Sequence, residues 1–295
     1  MQLLLGIPSP EISYIDLGPV RIHFYALFIL TGIVIATLIA DRTLTRRGAE
    51  RGSMLDIALW AVPFGILGGR FFHVITHPAD YFYEGADLLD TLRIWEGGLA
   101  IYGAISIGAI GAYIGTRQLG YRFLSVADAL APGILIAQGI GRLGNYFNQE
   151  LFGLPTTLPW GLQIPSSNRA YPNGLPEGLL FHPTFLYEML WNLSGAVLIL
   201  LLASRLKLQW GKVFALYLMV YSLGRIWIES IRIDPSEIIL GLRVNIWSAL
   251  IGLTVGILIF VVQSRRHPGL EPSIWRPGRE PAIESKSKSS KDTKN

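Results

Sequence analysis

The chain has 295 residues, of which 51% are hydrophobic and only 16% charged, and it contains no cysteine. A soluble domain carries about 25% charged residues, so this composition and a mean hydropathy of +0.42 indicate an integral membrane protein. Without cysteine, disulfides, thiolate metal sites and a cysteine nucleophile are excluded. The net charge of +4 lies in loops between apolar segments, which indicates membrane topology and not a nucleic-acid surface.

The first half of the chain holds four apolar segments long enough to cross a bilayer. Basic loops follow the first and the third of them. The third segment is rich in glycine and alanine, which predicts close packing between helices. The predicted spans are residues 20–40, 54–75, 97–115 and 124–140.

The second half adds three predicted spans after the longest connection, residues 142–183, which is rich in Pro, Gly and Asn. Residues 1–263 therefore read as one polytopic membrane domain with a segment on the outer side. The remaining stretch, 264–295, is basic and ends in a run of Lys and Ser, which predicts a solvated, disordered cytoplasmic tail. The three later spans are residues 184–203, 213–231 and 244–262.

Lys and Arg alternate between the two ends of the predicted spans. The loops after spans one, three, five and seven are basic, and the intervening loops carry few basic residues. The positive-inside rule then predicts an all-α membrane protein of seven transmembrane helices, with the N-terminus outside and the C-terminus in the cytoplasm. This topology places the polar residues Arg142, Glu150, His182 and Arg232 at or near the outer face.

The stretch from Gly139 to Gly153 reads GIGRLGNYFNQELFG and turns from apolar to polar. Arg142 supplies a planar fork of donors suited to phosphate, and Asn145 can hydrogen-bond ester or glycerol oxygens. Charged groups at the end of an apolar segment are costly near lipid and indicate a functional site. The alternative is a helix cap in which Arg142 pairs with Glu150 and touches no ligand.

The sixth predicted span carries four polar residues at helical spacing. Their separations of four, four and three residues place them on one face of a helix, and Glu229 can hold either neighbouring arginine. The alternative is an ion-pair network between helices. These residues are Tyr221, Arg225, Glu229 and Arg232.

Two arginines from separate elements, Arg142 and Arg225, suit an anion with several oxygen atoms. Neither a metal motif nor a nucleotide motif is present in the sequence. In a membrane protein of this kind, the anion that these arginines favour is a phospholipid headgroup.

The run GRLGNYFNQELFG resembles the signature of the prolipoprotein diacylglyceryl transferase family. The resemblance extends from about residue 18 to about residue 263, and several matches in the right order are more specific than one motif. The further stretches that resemble the family are GPVRIHFYAL with Tyr25, GGR at 68–70, WEGG at 95–98, HPTFLYE at 182–188 and YSLGRIWIESIR at 221–232.

The resemblance implies a multi-pass enzyme of the bacterial inner (plasma) membrane that needs no metal or cofactor. Its substrates would be phosphatidylglycerol and the lipobox cysteine of a prolipoprotein, and glycerol phosphate would be released. It implies catalytic roles for Arg142, Arg225, Tyr25 and Tyr102. It implies substrate-binding roles for Arg142, Asn145, Glu150, Gly153, His182, Tyr221, Glu229 and Arg232.

One position departs from the family pattern. The family has His-Gly-Gly at the start of span three and its histidine is the proposed general base, whereas this chain has Tyr102-Gly103-Ala104. Tyrosine, whose ordinary pKa is about 10, is a poor base at neutral pH. The base therefore stays open between a tuned Tyr102, His23, His182 and loss of the proton to water.

Two other functions compete with transfer. A non-enzymatic lipid or solute transporter would share a polar membrane interior, although the sequence shows no internal repeat. An intramembrane hydrolase is the second, but the chain lacks the Gly-x-Ser-x-Gly, His-Glu-x-x-His and Gly-x-Gly-Asp patterns. Transfer of a labelled diacylglyceryl group to a lipobox peptide separates an enzyme from a transporter.

Overall fold

The computed structural model describes residues 6–18 and 20–280, and these are mostly helical. Five of the helices, the first, second, fourth, fifth and seventh, are long and apolar enough to cross a membrane. The third and sixth have 18 residues each, about 27 Å at about 1.5 Å per residue. In the described residues the helices are α1 (Phe24–Arg46), α2 (Ser53–Thr76), α3 (Ile101–Gln118), α4 (Phe123–Phe147), α5 (Thr184–Arg205), α6 (Lys212–Glu229) and α7 (Val244–Arg266).

Helix boundaries differ from the predicted spans in three places. The first predicted span includes strand β2 (Val20–His23), which pairs antiparallel with β1 (Tyr14–Leu17), because hydropathy alone does not separate a short strand from a helix. α3 begins after Gly97 and Gly98, whose φ angles of 97° and 73° are left-handed. α4 runs past its predicted end to Phe147 and so contains the polar motif.

The described chain forms two compact units. The first consists of residues 6–58 and 124–272, and the second of residues 59–123 and 273–280. In the first unit α1 and α4 approach closely, since a Cβ on Gly32 would lie 3.1 Å from Ala137 and one on Gly133 would lie 2.9 Å from Ala36. Its main core joins α4, α5 and α6 through Ala131, Leu135, Ala196, Ile199 and Val213.

Short strands organise the connections of the first unit. β3 (Pro155–Thr156) and β4 (Leu162–Gln163) pair on either side of β5 (Leu180–Phe181), over a core that includes Phe152 and Phe185. This sheet sets the entry of the chain into α5. A second hairpin, β6 (Ile238–Ile239) with β7 (Leu242–Arg243), ends immediately before α7.

In the second unit α2 and α3 pack through glycines. A Cβ on Gly68 would lie 2.5 Å from the carbonyl oxygen of Gly103, and one on Gly108 would lie 3.3 Å from Cα of Gly65. The close packing predicted from the small residues of α3 is therefore confirmed, because only glycine lets these backbones approach so far.

The predicted tail begins inside the last turns of α7. Beyond that helix, Glu271 accepts a hydrogen bond from Ser125 Oγ at 2.8 Å and pairs with Arg47 within the first unit. In the second unit the Trp275 ring packs edge-on against Tyr121 at 4.6 Å. The described part of the tail thus packs on loops between helices, and residues 281–295 lie outside the described residues.

Candidate functional site

The centre of the candidate site is a buried carboxylate shared by two arginines of the first unit. Glu188 lies one turn into α5. Its Oε2 is 2.8 Å from Arg142 Nη2 on α4 and 3.9 Å from Arg225 Nη1 on α6. Three different helices therefore bring the two predicted arginines to one anionic group. A site of this kind attracts an anion with several oxygens.

A second carboxylate, Glu229, supports the arginines from the end of α6. Its side chain is fully buried, and Oε2 lies 2.9 Å from Arg225 Nη2, while Oε1 lies 2.7 Å from Arg243 Nε and accepts from Asn245 Nδ2 at 3.0 Å. Arg232 Nη1 is 3.8 Å away. The face predicted for span six holds for its first three residues only, because α6 ends at Glu229 and Arg232 follows in the next turn.

The amides of the central motif link Arg142 to Glu150. Arg142 Nη1 donates to Asn145 Oδ1 at 3.2 Å, and Asn145 Nδ2 donates to Glu150 Oε1 at 2.9 Å. Asn148 Nδ2 donates to the same oxygen at 3.1 Å. The direct pairing of Arg142 with Glu150 considered from the sequence is wrong, since the ion-pair partner of Arg142 is Glu188 and Asn145 stands between.

Two glycines of the motif are packing positions. Tyr25 lies half-exposed in the first turn of α1, and a Cβ on Gly144 would overlap its ring. Glycine at position 144 therefore lets Tyr25 pack directly against α4. A Cβ on Gly153 would lie 2.8 Å from both His182 Cβ and Ile231 O, and the Gly153 amide donates to His182 O at 2.9 Å. The geometry gives Gly153 a part in positioning its neighbours.

The remaining predicted side chains of the first unit have aromatic neighbours. His182 Nδ1 lies 3.1 Å from the Tyr187 hydroxyl, which also accepts from Trp160 Nε1 at 3.1 Å. Tyr221 stacks on Tyr217 with ring centroids 6.1 Å apart. His23 caps the start of α1 and contacts the ring of Tyr14 edge-on.

Tyr102 belongs to the second unit, where it lies in the first turn of α3 with 41% of its surface exposed. Arg70 of the same unit is buried and donates to the carbonyl oxygens of Thr91 at 2.8 Å and Gly97 at 2.7 Å. It also donates to the carbonyls of Gly98 and Asp90. Its guanidinium therefore holds the loop before α3.

Sequence reasoning left three charged groups out of the site. Glu188 was visible in HPTFLYE, whereas Arg243 and Asp234 gave no periodic signal, because Arg243 ends the two-residue strand β7 and Asp234 lies in a bend. Asp234 Oδ1 lies 2.6 Å from Arg232 Nε. Burial alone would lower the pKa of Arg232, but the hydrogen bond and charge of Asp234, with Glu229 and Glu188, outweigh it and leave that pKa raised.

The described residues, 6–18 and 20–280, contain no group of three or more His, Asp or Glu side chains placed to hold a metal ion. The functional groups of the candidate site are arginine guanidinium groups, carboxylates and side-chain amides. Groups of these types can bind and orient an anion and stabilise its charge.

The fold and site define a class: a helical protein with membrane-spanning-length helices and paired arginines converging from separate helices on one buried carboxylate. The family described as prolipoprotein diacylglyceryl transferase matches residues 13–262, and the chain belongs to that family. It is 57% identical over 282 residues to the phosphatidylglycerol–prolipoprotein diacylglyceryl transferase of Leifsonia xyli, covering 92% of this chain and 84% of that one.

Two other relatives carry the same description. The enzyme numbered 1 of Streptomyces coelicolor is 47% identical over 292 residues, which cover 99% of this chain and 83% of the relative. The enzyme of Bifidobacterium adolescentis is 48% identical over 269 residues, which cover 88% and 80% of the two chains. The chain is therefore a transferase of lipoprotein biosynthesis, and the family resemblance stated from its motifs is confirmed.

Proposed function

We propose that this chain transfers the diacylglyceryl group of phosphatidylglycerol to the lipobox cysteine of prolipoproteins and releases glycerol phosphate. The observation that carries the proposal is the convergence of Arg142 and Arg225 on one Glu188 oxygen, at 2.8 and 3.9 Å. A phosphate presents several such oxygens and can take bidentate contacts from both guanidinium groups.

The reaction needs a nucleophile, a leaving group and a proton acceptor. The nucleophile comes from the substrate, because this chain has no cysteine and the thiolate is the reactive form. The thiol gives its proton to a base, for which Tyr102, His23, His182 and water are the candidates. The sulfur attacks the glycerol carbon, the bond from that carbon to the phosphate oxygen breaks, and its electron pair leaves with the phosphate. Arg142 and Arg225 stabilise the charge that develops there.

The other site residues position these arginines and the lipid. The bridge through Asn145 to Glu150 orients Arg142, and Glu229 orients Arg225. Each guanidinium group carries five N–H donors, so the contacts of Arg142 and Arg225 with Glu188 leave donors for a phosphate. Tyr25 and Tyr221 are assigned to orienting the lipid, and His182, Gly153 and Arg232 to shaping the site.

The direct test is a transfer assay with purified protein in phosphatidylglycerol vesicles. A synthetic lipobox peptide should acquire the labelled diacylglyceryl group, and free glycerol phosphate should appear in equal amount. A peptide with serine in place of the lipobox cysteine is the control. Lipid movement across the vesicle without modified peptide would support the transporter instead.

The role of Tyr102 is testable by removing its hydroxyl. We propose that it hydrogen-bonds the headgroup or thiol and is not the base, so Tyr102→Phe should lose about tenfold or less in transfer rate. Tyr102→His should be tolerated because it restores the residue of the family pattern. The measurement is the transfer rate against pH for both variants and the parent.

A larger effect would change that assignment. General-base assistance contributes about 10²–10⁴-fold, so a loss beyond about 10²-fold in Tyr102→Phe would place its hydroxyl in proton transfer. If Tyr102→Phe is mild while His23→Gln or His182→Gln abolishes the pH dependence, the base lies on that histidine.

We propose a topology of seven spans in the bacterial inner membrane, with the N-terminus outside and the C-terminus in the cytoplasm. The support is the alternation of basic loops together with the seven helices in the described residues. A reporter that is active only in the cytoplasm, fused after Asn295, should be active. Activity of a reporter that works only outside the cytoplasm would overturn the orientation.

A further inference from the structure

A small cavity lies between α5 and α6, next to Arg225 and Glu188. It has a volume of about 10 Å³ and is lined by Glu188, Trp191, Asn192, Tyr221, Gly224, Arg225 and Ile228. A space of about 10–15 Å³ accommodates one water-sized group. The cavity therefore accommodates one water-sized group, and three of its lining residues, Glu188, Tyr221 and Arg225, belong to the candidate site.

Asn192 is the unusual member of this lining. Its residue surface is 3% exposed, and within residues 6–18 and 20–280 its side-chain amide forms no hydrogen bond. The fully enclosed side-chain N and O atoms that lack a partner in that range do not include this amide, so the amide keeps some accessible surface, and Asn192 lines the cavity. Native structures satisfy most polar groups at such interior positions. The open side of this amide is the cavity, so a group that enters the cavity can supply the missing hydrogen bond.

The position of the cavity along the helices indicates which part of a lipid reaches it. Asn192 lies one helical turn beyond Glu188 and eight residues from the start of α5, and Tyr221 lies eight residues before the end of α6. Both residues thus lie about 12 Å along the helix axis from that helix end, at about 1.5 Å per residue. They lie farther from the helix ends than Glu188 and Arg225 do.

The side chains that line the cavity indicate that the group entering it is a hydrogen-bond acceptor. Asn192 Nδ2 and the Tyr221 hydroxyl can donate, and the Arg225 guanidinium is already turned to Glu229 at 2.9 Å. In a phospholipid, the polar atoms that follow the phosphate toward the acyl chains are the ester carbonyl oxygens, which accept hydrogen bonds and carry no proton. A carbonyl oxygen also matches the size of the cavity.

We propose that Asn192 donates a hydrogen bond to an ester carbonyl of the lipid's glycerol backbone while Arg142 and Arg225 hold the phosphate. This inference rests on the proposed function and deepens it, because it makes Asn192 a specificity-determining residue for ester-linked lipid. The wall around it is fixed, since Trp191 Nε1 donates to Val220 O at 2.9 Å and packs where a Cβ on Gly224 would stand.

The test compares two lipids that differ only at the carbonyl. The parent and Asn192→Leu are assayed with ester-linked phosphatidylglycerol and with its di-ether analogue, which keeps the phosphate and the breaking bond. The parent should favour the ester lipid by about threefold to tenfold in kcat/KM, the value of one neutral hydrogen bond. In Asn192→Leu this preference should shrink to less than about twofold.

The ratio of the two lipids removes any effect of folding, because one protein sample is used for both. Ser194→Ala, an exposed position on the same helix, should keep the preference of the parent. Equal losses of Asn192→Leu on both lipids would assign the cavity to a buried structural water and overturn the inference. An unchanged preference in Asn192→Leu would overturn it as well.

Failure of the proposed function has a different signature. If the parent transfers neither lipid to a lipobox peptide, the enzyme assignment fails, and thermal stabilisation by the two lipids becomes the readout for Asn192. The ester lipid should then raise the unfolding temperature of the parent more than the ether lipid does, and this difference should be lost in Asn192→Leu. Equal stabilisation of the parent by both lipids would overturn the inference on its own.

Discussion

Replacing Glu229 by alanine is expected to destabilise the first unit by about 3–5 kcal/mol, because it breaks buried ion pairs and leaves Arg225 with only its 3.9 Å contact to Glu188. The side chain is fully buried, and ion pairs join it to Arg225, Arg232 and Arg243. Unfolding of the purified protein in detergent, followed by circular dichroism against temperature or denaturant, measures the loss. Low yield from the membrane fraction is expected alongside it.

A matched control is the exposed pair at the first hairpin. Asp16 and Arg21 lie 3.1 Å apart with more than half of each side chain exposed, and exposed pairs contribute at most about 1 kcal/mol. Asp16→Ala should therefore leave the unfolding transition nearly unchanged. A loss in Glu229→Ala no larger than that in Asp16→Ala would show that Glu229 does not hold the arginines.

Lysine in place of Arg142 or of Arg225 is expected to reduce turnover by tenfold or more, which corresponds to about 1.4 kcal/mol in the barrier. Lysine keeps the positive charge but loses the planar fork that can meet two phosphate oxygens. Each arginine also makes a second contact, to Asn145 at 3.2 Å and to Glu229 at 2.9 Å, which a single ammonium group cannot reproduce.

The measurement is transfer of the diacylglyceryl group to the lipobox peptide at matched protein levels. Arg205→Lys, at the exposed C-terminal end of α5, makes the same chemical change away from the site and should keep the turnover of the parent. Near-normal turnover in both Arg142→Lys and Arg225→Lys would remove these arginines from the site.

The central motif shows how far sequence reasoning extends. Composition and alternating basic loops predicted a helical membrane protein, and the order of the motifs predicted the family. Both follow from local properties, since hydropathy depends on each residue's own side chain and motifs depend on spacing along the chain. The polar character of Arg142, Arg225 and Glu229 was readable for the same reason.

The ion-pair partners that lie on different helices could not be predicted from the sequence. The alternative considered from the sequence paired Arg142 with Glu150, the nearest acid downstream, whereas the structure joins Arg142 to Glu188, 46 residues away on α5. Glu229 likewise reaches Arg243, which is the last residue of β7 and immediately precedes α7. Such pairs depend on the rotation and depth at which helices pack, and no local pattern encodes those quantities.

By itself the sequence determined the class, the family and the identity of the charged residues, because each is a property of the chain read in order. Only the tertiary structure decided that Glu188 lies between two arginines, that Gly144 packs against Tyr25 and that Asn192 lines a cavity beside Arg225. The physical reason is that burial and pairing arise when separate helices close-pack, so a side chain's partner is set by the facing helix.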